Sequence, residues 1–284
     1  MLPGPAFTEI VYHMKDSEQR QLLQSHFDIF YQVLTENPFV PNAHFETLGT
    51  FKRCLSGSPD AFHNAILGVP EKECWDECID AQLQFFQNEN MPFVWYLNED
   101  SSIEFKSKLT AKGFQEGGVF QGVIGFLDKD IPEPVVPEDC TLELVADQTT
   151  MDAFNLLVAD TFEIRGVSCE MYKRALMDAT QSPNYEMLHW VVKKQGKVVS
   201  ALSTLIKDDV VSFWNGATLP EVRGQGLSTT LRHFALKDAL EKGCKVGISY
   251  LMADGLAFGI CSKLGYETKW RFNVFISPEL SGAQ

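Results

Sequence analysis

The segment that most constrains this chain is Pro220-Glu221-Val222-Arg223-Gly224-Gln225-Gly226-Leu227-Ser228-Thr229-Thr230, which joins a strand to a helix. Before it, Val210 to Ala217 reads as a strand; after it, Leu227 to Glu241 reads as a long helix stopped by Gly243. Val246 to Leu251 reads as the next strand, and a long helical connection favours parallel pairing of the strands it joins. Upstream, Met151 to Phe162 and Cys169 to Met177 carry apolar residues at helical spacing. Leu188 to Val192, Val198 to Ile206 and Val210 to Ala217 are strand-like, with Lys194-Gln195-Gly196 and Lys207-Asp208-Asp209 as tight turns, so an antiparallel meander is expected. Gly255 to Lys263 reads as a short helix and Trp270 to Ile276 as a final strand. The expected fold class is α/β, a mixed central sheet flanked by helices.

Asp128 to Asp139, DKDIPEPVVPED, is the clearest linker, because its prolines and acids disfavour both helix and central strand. It divides the chain into an expected domain at 1–130 and another at 140–284, each large enough for its own core. The first piece ends much as the second does. Pro92 to Leu97 reads as a strand, followed by Asp100, a helix near Ser102 to Lys112, Gly113-Phe114 and the apolar Val119 to Leu127. The second has Tyr250-Leu251, Asp254, a short helix, Gly265-Tyr266 and a strand, with spacing that differs by two residues. We read the pair as a structural duplication.

Composition excludes several classes. Hydrophobic residues make up 45% of the chain and aromatic residues 12%, with 21 Phe, which is a globular composition with substantial cores. The net charge of -14, without a Lys/Arg-rich tract, argues against nucleic-acid binding. It is compatible with a cationic or neutral substrate and equally with plain solubility. The cysteines stand at 54, 74, 78, 140, 169, 244 and 261. Cys74 and Cys78 lie one helical turn apart, but no further Cys or His follows at zinc spacing, so no metal site is expected and buried thiols are the simpler account. The N-terminus has no basic stretch followed by an apolar run, and no apolar stretch reaches 18 residues. A cytoplasmic protein without membrane contact is expected.

Gly224 and Gly226 allow a tight turn and close approach of a ligand to the backbone. Amides from Gln225 through Thr229 would then point outward at a helix N-terminus, an arrangement that binds phosphate. Ser228 and Thr229 add hydroxyls. The sequence has no GxxxxGK[ST] loop, and no GxGxxG opens an early β-α-β unit, so nucleoside-triphosphate and nicotinamide binding lack their motifs.

Arg223-Gly224-Gln225-Gly226-Leu227-Ser228 resembles motif A of the GCN5-related N-acetyltransferases, Gln/Arg-x-x-Gly-x-Gly/Ala. Ser228 departs from the usual last residue. The distal motif Asn-x-x-Ala-x-x-Leu-Tyr-x-Lys-x-Gly-Phe is matched by Asp254 to Tyr266, with Ala257, Lys263 and Gly265 in place and Ile260 and Tyr266 as similar replacements. The resemblance covers about residues 140 to 280 and implies the acyl-CoA N-acyltransferase (GNAT) fold, in tandem, with the N-terminal half a degenerate copy. That half has Leu67 to Glu73, LGVPEKE, before its helix, and paired carboxylates there would repel a pyrophosphate.

What the resemblance implies is acyl transfer, usually of acetyl, from coenzyme A to an amine. The loop Arg223, Gly224, Gln225, Gly226, Leu227, Ser228 and Thr229 would hold the pyrophosphate. The strand end Ala217, Thr218 and Leu219 would pair with the pantetheine arm. Asp254, at the motif's Asn position, joins the cofactor-binding set, with helix capping as its other role. Cys261 replaces the motif tyrosine that protonates the departing thiolate; it is a candidate proton donor or a packed core thiol. Asn215 and Thr218 are candidates to orient a water or the acceptor, while Trp214 alternates with them. Glu163 and Arg165 are candidates for shaping the acceptor pocket, or a solvated loop. His189 reads as a structural histidine, and sequence does not bring His233 to Cys261. The acceptor is a small-molecule or peptide amine, and a homodimer is compatible. The alternative is a noncatalytic acyl-CoA-binding regulatory or interaction module, and a structural protein without cofactor is a third reading.

Overall fold

The computed structural model describes residues 14–36, 41–127, 131, 133–253, 255 and 257–279. In chain order its helices are α1 (Asp16–Thr35), α2 (Trp75–Asn88), α3 (Ile103–Ala111), α4 (Gln148–Phe162), α5 (Val167–Ala179), α6 (Leu227–Glu241) and α7 (Ala257–Lys263). The strands are β1 (His44–Leu48), β2 (Phe51–Leu55), β3 (Ala65–Gly68), β4 (Val94–Asn98), β5 (Gln115–Phe126), β6 (Cys140–Leu144), β7 (Glu186–Lys194), β8 (Lys197–Lys207), β9 (Val210–Thr218), β10 (Val246–Met252) and β11 (Glu267–Ile276). The α/β class and the mixed, helix-flanked sheet are as the sequence predicts.

The chain forms two compact units that are not contiguous in sequence. The first comprises Met1–His26, Gly122–Ile164 and Thr180–Lys269; the second comprises Phe27–Gln121, Arg165–Ala179 and Trp270–Gln284. In the first unit, β6, β7, β8 and β9 are successively antiparallel, and β9 pairs in parallel with β10 through the α6 connection. The end of β5 lies next to β10, and Leu127 N–H continues the pairing to Lys245 O at 2.8 Å. In the second unit, β1, β2 and β3 are antiparallel and β3 runs parallel to β4 through α2. That sheet is continued by β11, with Phe272 opposite Asn98 and Ile276 opposite Val94. Both units therefore repeat one order: an antiparallel meander, a helix, and a parallel strand.

Side-chain alternation along the strands explains the layering of the first unit. Trp190, Leu202, Phe213, Leu227, Leu231 and Leu236 share one buried cluster, which seats α6 on one face of the sheet. His189, on the other face, packs its ring against Phe154 of α4 at 4.9 Å. The second unit has a separate aromatic core that includes Trp75, Phe86, Phe93, Trp95, Phe105 and Phe114. Within it Phe86 and Phe93 stack at 4.1 Å.

Most expected elements of the first unit recur with longer ends. Helix α4 starts at Gln148 rather than Met151 because Asp147 caps it, its carboxylate accepting from Thr150 N–H at 2.9 Å. Strand β6 was not expected; its Glu143 and Thr141 keep the segment polar on its outer side. The turn that stands in the second unit where the glycine loop stands in the first has no glycine pair. It runs from Gly68 through a 3-10 turn at Lys72–Cys74 into α2, with Lys72 paired to Glu104 at 2.9 Å.

Candidate functional site

Strands β9 and β10 pair only part of the way. The parallel ladder joins Val210–Phe213 to Val246–Ser249 and ends there, while β9 runs on to Thr218 and β10 to Met252. Just past that point β9 bulges against β8. Ser203 faces Trp214 and Ala201 faces Ala217, so Asn215 and Gly216 together oppose Leu202. Asn215 makes the bulge by adopting φ 56°, a left-handed conformation that asparagine tolerates better than most residues. The result is a fork whose apex is the pair Phe213 and Ser249.

The bulge turns the Asn215 side chain inward, where it is 8% exposed. Its Nδ2 donates to Ser203 Oγ at 3.0 Å, and Ser203 Oγ lies 2.9 Å from His189 Nδ1. Ser203 Oγ accepts from Asn215 and shares a second hydrogen bond with His189 Nδ1, so one hydroxyl links the β9 amide to the β7 imidazole. Thr218 meets Ser200 hydroxyl to hydroxyl at 2.8 Å. Trp214 lies against Tyr250, ring centroids 4.7 Å apart, and Tyr250 donates its hydroxyl to Leu23 O.

The glycine loop follows the fork. After Leu219, Pro220–Val222 makes a 3-10 turn, and Arg223 Nε donates back to Thr218 O at 3.1 Å. Gly224 and Gly226 have φ 77° and 78°, which glycine adopts without penalty. A Cβ at either position would meet nothing within 4 Å. The loop therefore needs glycine for its backbone angles and leaves open space in front. Gly226 is the N-cap of α6 and offers no side-chain cap, so the amides of the first turn are left for another acceptor. Gly224, Gln225 and Gly226 are exposed, Ser228 and Thr229 half-buried, and Leu227 anchors the turn in the core. Ala217 is buried in β9, and Leu219 is half-buried.

Cations and the linker flank this turn. Lys194 Nζ donates to Gln225 Oε1 at 3.1 Å and pairs with Asp139 at 3.2 Å, which holds the Asp139 carboxyl below its usual range. Thr230 Oγ1 donates to Val135 O at 2.9 Å, and Lys237 pairs with Glu133, so linker residues run along α6.

Cys261 sits in α7 fully buried, in an apolar cluster with Val123, Leu251 and Tyr266. Asp254 lies outside the described residues. His233 is half-buried, and burial with the neighbouring Arg232 charge lowers its pKa. Glu163 ends α4 in a left-handed conformation and is exposed, as is Arg165. Sequence reading missed Ser203 and Ser200, which look like ordinary strand residues until the bulge aligns them with Asn215 and Thr218. It also missed Arg232, which a helical pattern places among α6 positions without marking it as buried. Among the described residues, no group of His, Cys, Asp and Glu could hold a metal ion, and no helix is long and apolar enough to cross a membrane.

Residues 151–257 match the model of the acetyltransferase (GNAT) family. Among solved structures, a GCN5-related N-acetyltransferase from Kribbella flavida is 17% identical, with a TM-score of 0.65 over 91% of this chain and 95% of that one. A functionally unknown conserved protein from Staphylococcus epidermidis is 14% identical, with a TM-score of 0.67 over 84% and 95%. A tandem GNAT protein from the clavulanic acid biosynthesis pathway is 13% identical, with a TM-score of 0.54 over 82% and 79%. No curated protein sequence matches the chain. The chain thus carries a GNAT acetyltransferase domain over residues 151–257, and GNAT-fold structures, one of them a tandem GNAT, cover most of its length.

Proposed function

We propose that this protein, which carries a GNAT acetyltransferase domain, moves an acyl group, acetyl in the simplest case, from coenzyme A to a small-molecule or peptide amine. Residues 140–284 bind the thioester, and residues 1–130 are a degenerate copy without a second cofactor. The observation that carries this reading is the open fork of β9 and β10 leading into an uncapped, glycine-built helix N-terminus. The residues present fit coenzyme A. Amides from Gln225 to Thr229 would take its pyrophosphate, helped by the α6 dipole, with Arg223 and Lys194 supplying nearby positive charge. The freed edge of β9 from Asn215 to Leu219 would take the amide-bearing arm. When bound, the thioester supplies an activated acyl carbon.

On the face of the sheet covered by α4, Asn215, Ser203 and His189 form one hydrogen-bonded chain next to Trp214 and Tyr250. We assign the acceptor amine to this face. Asn215 and Thr218 orient it or a water, and the proton released as the new amide forms leaves by that water. Cys261, fully buried among apolar side chains, is assigned to packing rather than to proton transfer.

Calorimetric titration of the full chain with acetyl-CoA, and separately with coenzyme A, tests the reading. One site per chain is expected, followed by transfer to a member of an amine and peptide panel. The absence of binding by folded protein would overturn it. Binding with no transfer to any amine would instead favour a noncatalytic acyl-CoA-binding module, which the replacement of the motif tyrosine by the buried Cys261 supports.

A further inference from the structure

Arg232 is a charged side chain in the wrong place for a structural one. It lies on the core-facing side of α6 and is 7% exposed. Its Nη1 donates to Ser249 Oγ at 3.0 Å, and its guanidinium carbon stands 4.5 Å from the Phe213 ring centroid. Among the described residues no carboxylate pairs with it. A buried guanidinium without a counter-ion is costly, and a serine hydroxyl with an aromatic face compensates it only in part. An aliphatic residue would pack the same position without that cost.

The surroundings add a second unsatisfied group. Tyr266 is 6% exposed, and its hydroxyl makes no hydrogen bond in the described structure. Burial pushes the phenol well up and the Arg232 charge pulls it back in part. The ring is admitted by two glycines. A Cβ on Gly125 would fall 2.6 Å from its Cδ2, and one on Gly247 would fall 2.1 Å from its hydroxyl oxygen. Ser249 lies two residues beyond Gly247 and therefore on the same face of β10. Guanidinium, phenol and serine hydroxyl thus gather on the α6 face of the sheet.

Their position along the strands is what gives them a use. Phe213 and Ser249, the two residues Arg232 touches, are the last pair of the β9–β10 ladder and hence the apex of the fork. A molecule anchored at the glycine loop after Leu219 and running back along β9 reaches that apex after about 20 Å of strand. Its far end arrives at Arg232.

We propose that Arg232 is a catalytic residue that receives the negative charge of the departing coenzyme A sulfur, with Ser249 and Tyr266 beside it. The inference rests on the acyl-transfer reading above. In the step concerned, the amine nitrogen bonds to the acyl carbon and the carbon–sulfur bond breaks with its electron pair on sulfur. The extra proton on nitrogen passes to water. Arg232 stays protonated throughout and donates a hydrogen bond to the thiolate. A neutral thioester gives the guanidinium little to bind, and a thiolate gives it a full charge. The interaction therefore strengthens as the bond breaks, which is the condition for lowering a barrier. A permanent carboxylate at this spot would remove the effect, and none of the described residues provides one.

The test is the ionisation of bound coenzyme A, followed by thiolate ultraviolet absorbance as pH is raised, on the full chain and on Arg232→Met and Arg232→Lys. In the unmodified protein the bound thiol should ionise at lower pH than free coenzyme A, with at least a tenfold larger thiolate-to-thiol ratio at the same pH. Arg232→Met should still bind, because the glycine loop is untouched, and should lose that shift; Arg232→Lys should keep part of it. Should the Met variant fail to fold by circular dichroism, the Lys variant carries the comparison: a reduced shift supports the proposal and a shift equal to that of the unmodified protein overturns it. A bound thiol that ionises like the free one, or a shift that survives in Arg232→Met, would overturn the proposal for Arg232 alone. Failure of the unmodified protein to bind coenzyme A overturns the acyl-transfer reading and this inference with it.

Discussion

Asn215 holds Ser203 from a backbone that most residues would not accept: its Nδ2 donates to Ser203 Oγ at 3.0 Å while its own φ is 56°. The two properties separate by mutation. Asn215→Gly keeps the bulge and loses the hydrogen bond, and Asn215→Ala loses both the bond and the easy left-handed angle. We expect Asn215→Ala to be less stable than Asn215→Gly by about 1 kcal/mol in urea unfolding. Both should lower acyl transfer; Asn215→Gly, which keeps the β9 edge in place, should leave coenzyme A affinity within about twofold, and Asn215→Ala, which disturbs that edge, should weaken it further. Equal stabilities would mean that the bulge relaxes on mutation and that the backbone angle is not enforced by its neighbours.

At Gly226 the structure changes the reason for an expected result. From sequence, Gly226→Glu is expected to abolish coenzyme binding by putting the wrong charge in the phosphate site and by crowding the turn; a Cβ there meets open space, so φ 78° replaces crowding as the steric obstacle and the charge remains. Gly226→Ala carries only the backbone strain, roughly 1–2 kcal/mol. Gly226→Glu adds a carboxylate where a pyrophosphate is proposed to sit. Calorimetry should show a modest loss of coenzyme A affinity for the Ala variant and a loss of more than about 100-fold for the Glu variant, with folded circular dichroism spectra for both. Similar affinities for the two variants would remove the phosphate from this turn.

Legibility followed sequence separation. Helix α6 is read from its own residues at both ends, because Gly226 and Gly243 bracket it and its neighbours are local. The order of the meander was equally readable from turns such as Gln195-Gly196, both at positive φ. What could not be read depends on distant partners. Strand β11 follows the GNAT motifs in sequence, yet one of its partners is β4, more than 170 residues earlier, and no local pattern specifies that pairing. Asn215 was legible as a polar strand residue, but its role depends on Ser203 in β8 and His189 in β7. Arg232 was hidden for the opposite reason. A lone arginine in an amphipathic helix reads as surface, and only the packed sheet shows it facing Phe213.

Gly247 and Tyr266 form a matched pair that a double-mutant cycle can resolve. A Cβ at Gly247 would come within 2.1 Å of the Tyr266 hydroxyl oxygen and 3.0 Å of its Cζ. Gly247→Ala should therefore cost about 1–3 kcal/mol through overpacking. In a Tyr266→Phe background the nearest atom is gone and the cost should fall by about 1 kcal/mol or more, giving clear non-additivity in denaturant unfolding. Additive effects would show that the ring moves aside freely, and would weaken the placement of the phenol next to Arg232.

His26 gives the first unit a titration signature. It is 3% exposed, its Nδ1 has no hydrogen-bond partner among the described residues, and burial, with the nearby Lys207 charge, lowers its pKa to about 4. A folded-state value below the unfolded one, near 6.5, means the unfolded chain takes up a proton first as pH falls. The stability contributed by neutral His26 is complete above about pH 6.5 and is lost as pH drops from there towards 4, by roughly 3 kcal/mol in all. Urea midpoints measured between those limits should fall steadily for the unmodified protein. His26→Gln removes the titrating group, so its midpoints should fall less steeply over the same range. If the two proteins lose stability in parallel, His26 does not stay neutral in the folded state and carboxylates elsewhere set the acid limb.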